Sequence, residues 1–261
     1  MSGFATYKNC VRLGLFESIN YRGEMFFSVL PTLLTLASIG MLWYVVFKEK
    51  PELNVKDIIG YLLVANGVKN LVDAGSMKFG KVIIEGIKEG GLSATLIKPI
   101  NPLLFMYFKH LGTRGTSIVM SLAMIAAGFM VRPPLNLASC LSFLAVLPVS
   151  IIIAYCFCVF SGELAFWTTE ANGFRNVILH TIRVFSGAAI PLTYLSPTFK
   201  TIILLSPYPA LSYLPTAIVR DGLSGETLVC LGASVIWIFL LLAFVYALWR
   251  KGLRHYEAIG I

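Results

Sequence analysis

The chain has 261 residues, of which 57% are hydrophobic and only 13% carry a charged side chain, and its formal net charge is +8. Soluble domains carry about 25% charged residues, so this composition excludes a soluble globular protein and predicts an integral membrane protein. Basic residues accumulate on the cytoplasmic loops of membrane proteins, so the positive charge does not indicate nucleic-acid binding. The three histidines are scattered and no C-x-x-C occurs, and no metal site is predicted.

The N-terminal stretch 3–20 predicts an amphipathic helix, because apolar residues recur on one face while Lys8 and Arg12 occupy another. We expect residues 1–24 to lie in the plane of the membrane interface, an ordinary surface helix being the alternative. The uncharged run 25–47 follows almost at once. It predicts span 1, since a transmembrane helix needs about 20 apolar residues.

Span 2 is predicted to start near Asp57 and carries a polar stripe. Asn66, Lys69, Asn70 and Asp73 fall at helical spacing on one face, and Lys69 and Asp73 could form an ion pair. Such a stripe must face protein or water rather than lipid. The lining of a pathway, a subunit interface, a structural seam against another helix and the cytoplasmic end of the span all remain open.

The segment 85–102, EGIKEGGLSATLIKPINP, is charged and interrupted by glycine in an otherwise apolar chain. Its apolar pairs on either side of Gly90 and Gly91 predict two short amphipathic pieces with a bend between them. Pro99 and Pro102 are expected to stop the helix. Charged residues here keep the segment in water or at the membrane surface, where a soluble partner could bind it.

Apolar runs then predict the remaining spans. Span 3 has its core at 115–131, and span 4 lies within 135–162 with a tilt or a break at Pro148. A polar turn covers 163–176, where Glu163 and Glu170 are expected in solvent, and span 5 covers about 177–191 and carries Arg183. Five prolines within 191–215 predict short helices that dip into one leaflet. Span 6 is the uncharged run 227–249.

The distribution of basic residues predicts the orientation. With the N-terminus inside, six spans leave 14 basic residues on inner segments and 6 on outer segments, and Lys69 within span 2 completes the total of 21. The positive-inside rule therefore puts both termini and the segment 85–99 in the cytoplasm, with the chain crossing the plasma membrane several times.

No set of catalytic side chains is found, so the chain is not predicted to be an enzyme. Residues 75–82 nearly match a phosphate-binding loop, but Val82 replaces the required hydroxyl and no strand precedes Gly75. If the protein moves a substrate with ATP, another chain must hydrolyse that ATP.

Three local sequences resemble the permease subunits of type-2 ABC exporters. Residues 86–99, which end in Leu-Ile-Lys-Pro, look like the coupling segment of that family. Residues 166–170, Phe-Trp-Thr-Thr-Glu, look like its turn between spans 4 and 5. The basic tail at 249–260, which contains glycine and tyrosine, is similar to the ending of one bacterial branch and is the most specific of the three.

The resemblance implies a single all-α integral membrane domain, 1–261, with six transmembrane helices. It also implies an N-terminal interface helix, a cytoplasmic coupling helix between spans 2 and 3, and outer-leaflet hairpin helices between spans 5 and 6. The implied partners are two cytoplasmic ABC ATPase subunits, a second permease that is identical or a sister chain, and membrane lipid. ATP and magnesium would be bound by the ATPase, and no cofactor by this chain.

The resemblance also suggests roles for three sets of residues. The set that couples to the ATPase is Glu85, Gly86, Lys88, Glu89, Gly90, Gly91, Leu92, Leu96, Lys98 and Pro99. The set at the pathway or subunit interface is Asn66, Lys69, Asn70, Asp73 and Arg183. The set in the cytoplasmic turn and tail is Trp167, Glu170, Arg250, Gly252, Tyr256 and Glu257.

A gradient-driven secondary transporter or channel is the alternative function. Lys69 and Asp73 would then form an ion or proton site. Secondary transporters often contain repeated halves, and spans 1–3 show no obvious match to spans 4–6, which disfavours this alternative. A membrane-embedded enzyme is disfavoured further, because it needs a cluster of reactive side chains.

Overall fold

The computed structural model describes residues 3–20, 54–190 and 192–256, together with some positions between 30 and 48. Those residues form helices joined by short turns, without a β-strand among them, which confirms the predicted all-α class for this part of the chain. Predicted span 1 at 25–47 lies largely outside the described residues, as does Glu257 in the tail.

From Val55 onward the described helices follow one another through short connections. The described helices are α1 Gly3–Asn20, α2 Val55–Val72, α3 Phe79–Lys88, α4 Gly91–Leu96, α5 Pro102–Gly112, α6 Gly115–Val131, α7 Leu137–Glu163, α8 Ala171–Phe185, α9 Pro197–Leu204, α10 Tyr213–Asp221 and α11 Gly225–His255. A π-helical turn, Asp73–Met77, joins α2 to α3, and single 3₁₀ turns lie at Leu164–Phe166, Leu192–Tyr194 and Pro209–Leu211.

Two of the described helices are long and apolar enough to cross a membrane, one at Leu137–Phe166 and one at Gly225–His255. The pair α5 and α6 would add a third span if it acts as one unit, although its two helices meet at a bend of 67°. α7 continues through Pro148 without a break. α8 begins at Ala171, earlier than the predicted span 5, and has 15 residues.

Helix starts follow the capping chemistry of the sequence. The side-chain oxygen of Asn54 accepts from the backbone of Lys56 at the start of α2, and Ser224 forms a capping box with Thr227 at the start of α11. Pro102 does not stop a helix as expected but begins α5, where Asn101 is the cap. The reason is that a first-turn proline lacks only an N–H that has no helical partner.

Glycines set the closest approach between α2 and α6. A Cβ atom on Gly67 of α2 would lie 2.7 Å from the Ile125 side chain of α6, and one on Gly128 of α6 would lie 2.6 Å from the Val64 side chain of α2. Because lipid removes the hydrophobic drive between helices, small residues that permit dense packing hold such pairs together. α2 and α6 are therefore packed nearly backbone to backbone.

The N-terminal helix α1 lies along α5 through a second glycine contact. The backbones of Gly14 and Gly112 approach so closely that a Cβ on either would overlap the opposite helix. The Tyr7 and Phe108 rings are tilted against each other with centroids 5.0 Å apart, and Glu17 pairs with Lys109 at 2.8 Å. The predicted α1 helix is confirmed, and its position in the membrane interface stays a prediction.

The proline-rich stretch folds into short helices, as the sequence predicts. α9 and α10 pack against α7 and the first turns of α11 through a buried cluster that includes Leu192, Tyr213, Leu214, Ile218 and Cys230. Tyr194 remains half exposed beside Trp43, with the two rings 5.6 Å apart. The depth of these short helices in one leaflet stays a prediction.

Candidate functional site

The segment 85–99 consists of the end of α3, a sharp bend and α4. Gly90 adopts φ +76°, a left-handed conformation that glycine reaches without steric cost. α3 buries Ile83 and Ile87, and α4 buries Leu92 at 1% exposure. The predicted two-piece segment with a glycine bend is thus confirmed, and we call residues 85–99 the coupling segment.

The bend gives a testable difference between two adjacent glycines. Gly90→Ala should destabilise the bend by about 1 kcal/mol, because a Cβ is strained in the left-handed region. Gly91→Ala is the matched control, since its Cβ would meet no atom closer than 3.8 Å. Limited proteolysis should cut the segment faster in Gly90→Ala than in Gly91→Ala, and equal rates would contradict the proposed strain.

The apolar side of the coupling segment rests on a cluster at one end of the bundle, which we call the inner cluster. It combines α3 and the start of α4 with α5, the second half of α7 and the C-terminal part of α11, and its buried members are Phe79, Ile83, Ile87, Leu92, Leu103, Met106, Tyr107, Cys156, Val159, Val245 and Trp249. Gly86 lets α3 approach α5 closely, because a Cβ added at this position would lie 3.2 Å from the Met106 side chain.

The structure brings together the three segments that carry the family resemblance. The Ser93 and Tyr256 hydroxyls are 2.9 Å apart, which joins the coupling segment to the C-terminal tail. The Lys88 ammonium donates to the carbonyl of Thr169, which joins the same segment to the turn after α7. Both pieces of the coupling segment are therefore tied to other parts of the chain, one on each side of the bend.

Phe166 is the centre of the contact between the turn and the tail. Its ring lies 5.5 Å from Trp249 and 6.1 Å from Tyr256, in the edge-to-face geometry that aromatic pairs prefer. It also covers Gly252, where a Cβ would overlap the ring. Trp167 extends the contact, with its ring 6.1 Å from that of His255. Tail positions 252 and 256 are thus fixed by packing.

The other charged residues of these segments have weak local partners or none in the described chain. Lys98 lies 4.0 Å above the Phe105 ring, and Glu85 pairs with Lys81 at 3.2 Å. Arg250 lies over Tyr246 on α11. Glu89 and Glu170 are exposed, and no ion pair of either with a described residue is found; Pro99 is exposed as well.

An exposed apolar pair marks the far end of the coupling segment. Leu96 is 37% exposed and Ile97 is 85% exposed, although Leu92 one turn earlier is buried. An isoleucine this exposed, next to Lys98 in the chain, is not packed into the inner cluster. The segment therefore presents a mixed apolar and charged surface away from the bundle.

The polar stripe of α2 makes contacts within the chain. Lys69 and Asp73 form the predicted ion pair at 2.7 Å, with side chains 16% and 31% exposed. Asn66 is buried and donates to the Ala188 carbonyl, and Asn70 lies 3.5 Å from the Met124 sulfur. Arg183 does not join them by any ion pair among the described residues, and it is exposed on α8.

The expectation for Glu163 is wrong. Its side chain is fully buried rather than solvated, and neither carboxyl oxygen has a hydrogen-bond partner in the described chain. The cause is that α7 continues to residue 163 and α3 crosses it there, with Gly80 and Gly162 in close approach. The small pair Ser161 and Gly162 was the available sequence signal, since small residues mark close helix contacts in membranes.

These features define a membrane-embedded helical protein whose exposed, interlocked segments gather at one end of the bundle. No group of three or more metal-ligating side chains occurs in the described residues. The family model described as ABC-2 family transporter protein matches residues 33–260, and the chain belongs to that family. It is therefore the membrane component of an ABC transporter, a class that associates with ATPase subunits. Comparison with curated proteins gives no match.

Proposed function

We propose that this chain is the transmembrane permease subunit of an ATP-driven exporter, and that separate ATPase subunits act on it through the coupling segment. The observation that supports the proposal most is the convergence at the inner cluster. One exposed segment is tied at the same time to the turn after α7 and to the end of α11. A force applied to that segment would reach several membrane helices at once.

The surface of the coupling segment suits a protein partner. Ile97 and Leu96 supply an apolar contact, and the exposed Glu89 and Lys98 of the same segment carry both signs of charge. A buried apolar centre with a polar rim is the usual anatomy of a protein interface. We propose that two ATPase subunits bind ATP and magnesium, and that each receives one such segment from a permease pair, identical or of two sister chains.

Charge pairing supports the proposed orientation, with both termini and the coupling segment in the cytoplasm. At the opposite end of the bundle, Arg132 pairs with Asp57, Lys200 with Glu226, and Arg220 with Asp221. At the inner end Lys81 pairs with Glu85 and Lys109 with Glu17, but the exposed basic residues Lys251 and Arg254 pair with no acidic residue that the structure describes. Unneutralised basic charge belongs on the cytoplasmic side.

An exposed polar stripe on α8 supports the proposed pathway. Asn172, Asn176, His180 and Arg183 follow one another at helical spacing and all are exposed. Beside them Val177 and Val184 are exposed too, as expected of a helix that also meets lipid. Because polar side chains avoid lipid, we propose that this stripe, with the Lys69 and Asp73 pair, faces the pathway or the second permease in a six-span protein.

Co-purification with variants tests the coupling segment. The chain is isolated from its native membrane in mild detergent, and bound ATPase is measured by mass spectrometry and ATP turnover. Glu89→Lys and Ile97→Asp should each reduce retained ATPase about tenfold, the effect of losing one well-packed interface residue. Glu85→Lys should do the same, although its ion pair with Lys81 makes it the less selective variant.

Lys56→Glu is the control for a reversed charge, because Lys56 is exposed at the opposite end of the bundle. Unchanged co-purification and unchanged ATP turnover in both Glu85→Lys and Glu89→Lys would argue against the proposed contact. If the wild-type chain retains no ATPase, after controls for loss in detergent, the result would favour a gradient-driven transporter.

A further inference from the structure

We infer that the C-terminal end of α11 is part of the coupling machinery, with Tyr256 and Phe166 as positioning residues that join the coupling segment to the last span. The inference rests on the proposed function and adds a second route for the movement. Chain connectivity links the coupling segment to α2 and α5 only. Besides the apolar packing of the inner cluster, the link to α11 is made across 163 residues by the pair Ser93 and Tyr256.

The first step is that α4 needs an external partner. It has six residues, too few for a helix to be stable by itself in water. Leu92 anchors its beginning in the inner cluster, whereas Leu96 and Ile97 at its end are exposed. The hydrogen bond between the Ser93 and Tyr256 hydroxyls is the polar contact that fixes the direction of this helix.

The second step is that Tyr256 is held rigidly. Phe166 packs between Trp249 and Tyr256 and lies directly on Gly252. The last two turns of α11 are therefore packed against the turn after α7. Lys88 closes the arrangement by donating to Thr169 in that same turn. Coupling segment, turn and tail therefore form one unit at the inner end.

The third step is that α11 has defined contacts near both ends and is largely exposed between them, although Ile238 and Leu241 pack against the cluster on α7. In the most apolar 18-residue stretch of α11 only 17% of the stretch is buried in the chain, against 50% for the corresponding stretch of α7. With 31 residues it is about 46 Å long. At its outer part Glu226 pairs with Lys200 of α9 at 2.6 Å, and the Trp237 indole donates to the Leu205 carbonyl just after α9.

These contacts make α11 a lever between the coupling segment and the short outer helices. Displacement of the coupling segment by the ATPase would tilt α11 through Tyr256 and Phe166. The tilt would then move α9 through Glu226 and Trp237. A rigid helix with defined contacts at both ends is the kind of element that carries such movements.

The test measures the movement of α11 directly and needs no substrate. Spin labels are placed on Leu228→Cys and Leu137→Cys, two exposed positions at the starts of α11 and α7. The background carries Cys140→Ser, because Cys140 is the native cysteine that is not buried. The complex with its ATPase is reconstituted in lipid nanodiscs, and the label distance is compared without nucleotide and with ATP trapped by vanadate.

We expect ATP to shift this distance in the wild-type complex. Tyr256→Phe and Ser93→Ala should each reduce the shifted fraction about fivefold, since each removes one net hydrogen bond and little else. Both variants should keep the bound ATPase. Lys251→Ala and Arg254→Ala, exposed on the same turns of α11, are the controls and should shift as the wild type does.

Several outcomes would overturn the inference. A full shift in Tyr256→Phe and Ser93→Ala, or no shift in a wild-type complex that binds and hydrolyses ATP, would overturn it and leave the proposed function standing. In Ser93→Ala/Tyr256→Phe, a shifted fraction as low as that of either single variant would confirm that the two hydroxyls act as a pair. Additive reductions of the shifted fraction would overturn the pairing. Failure of the wild-type chain to bind any ATPase would remove the proposed function and this inference with it.

Discussion

Gly162→Val is expected to separate the coupling segment from the membrane helices. A Cβ at position 162 would lie 2.6 Å from the Ile83 Cβ and 3.1 Å from the Gly80 carbonyl oxygen. Both belong to α3, and neither is the free end of a flexible side chain, so α3 and α7 must move apart. Overpacking of this kind costs about 1–3 kcal/mol, and more where backbone blocks relaxation.

The expected effect reaches beyond local stability because α3 leads directly into the coupling segment. Ile83 and Ile87 of α3 are buried in the inner cluster, and a shift of α3 would open that cluster. Gly162→Val should therefore lower the midpoint of thermal unfolding in detergent and also lower the ATPase retained in a pull-down. The loss of ATPase should exceed that of Gly90→Ala.

Gly232→Val on α11 is the matched control, because a Cβ at position 232 would meet no atom within 4 Å. Both substitutions replace a helical glycine by the same β-branched residue, so the change in helix propensity is the same in each. Equal unfolding midpoints for the two variants would show that the crossing of α3 and α7 does not depend on a glycine.

Local sequence rules predicted the elements around this site. The bend at Gly90 follows from two amphipathic pieces separated by glycines, and the ion pair of Lys69 and Asp73 follows from their spacing of four. Each of these features is determined within one or two helical turns. The start of α8 was missed by six residues, because the polar residues at its N-terminus were interpreted as a turn.

Long-range contacts could not be predicted in the same way. The meeting of Ser93 with Tyr256, and of Phe166 with Gly252, depends on how three helices end relative to one another. The burial of Glu163 likewise depends on α3 crossing the end of α7. No periodic pattern encodes such crossings, although the glycines that permit them are visible in the sequence.

The ion pair on α2 separates the exporter from the gradient-driven alternative. Asp73→Leu leaves the Lys69 ammonium, whose side chain is only 16% exposed, without its partner. Breaking a fully buried pair costs about 3–5 kcal/mol, and the 31% exposure of Asp73 reduces that cost. We therefore expect a clear fall in the thermal unfolding midpoint for Asp73→Leu alone.

Lys69→Met/Asp73→Leu should recover most of that loss, because removing both charges leaves no uncompensated ion. In an exporter neither charge carries a coupling ion, so the recovered double variant should bind its ATPase and hydrolyse ATP like the wild type. Asn66 and Asn70 support this expectation, because their side-chain amides already contact the Ala188 carbonyl and the Met124 sulfur within the chain. In a gradient-driven transporter the same double variant would fold but lose ion-coupled uptake in proteoliposomes, because the only charges of the stripe would be gone. A stable double variant with normal ATP turnover would therefore contradict the ion-site alternative, and a stable one that lost an ATP-independent ion flux would contradict the exporter.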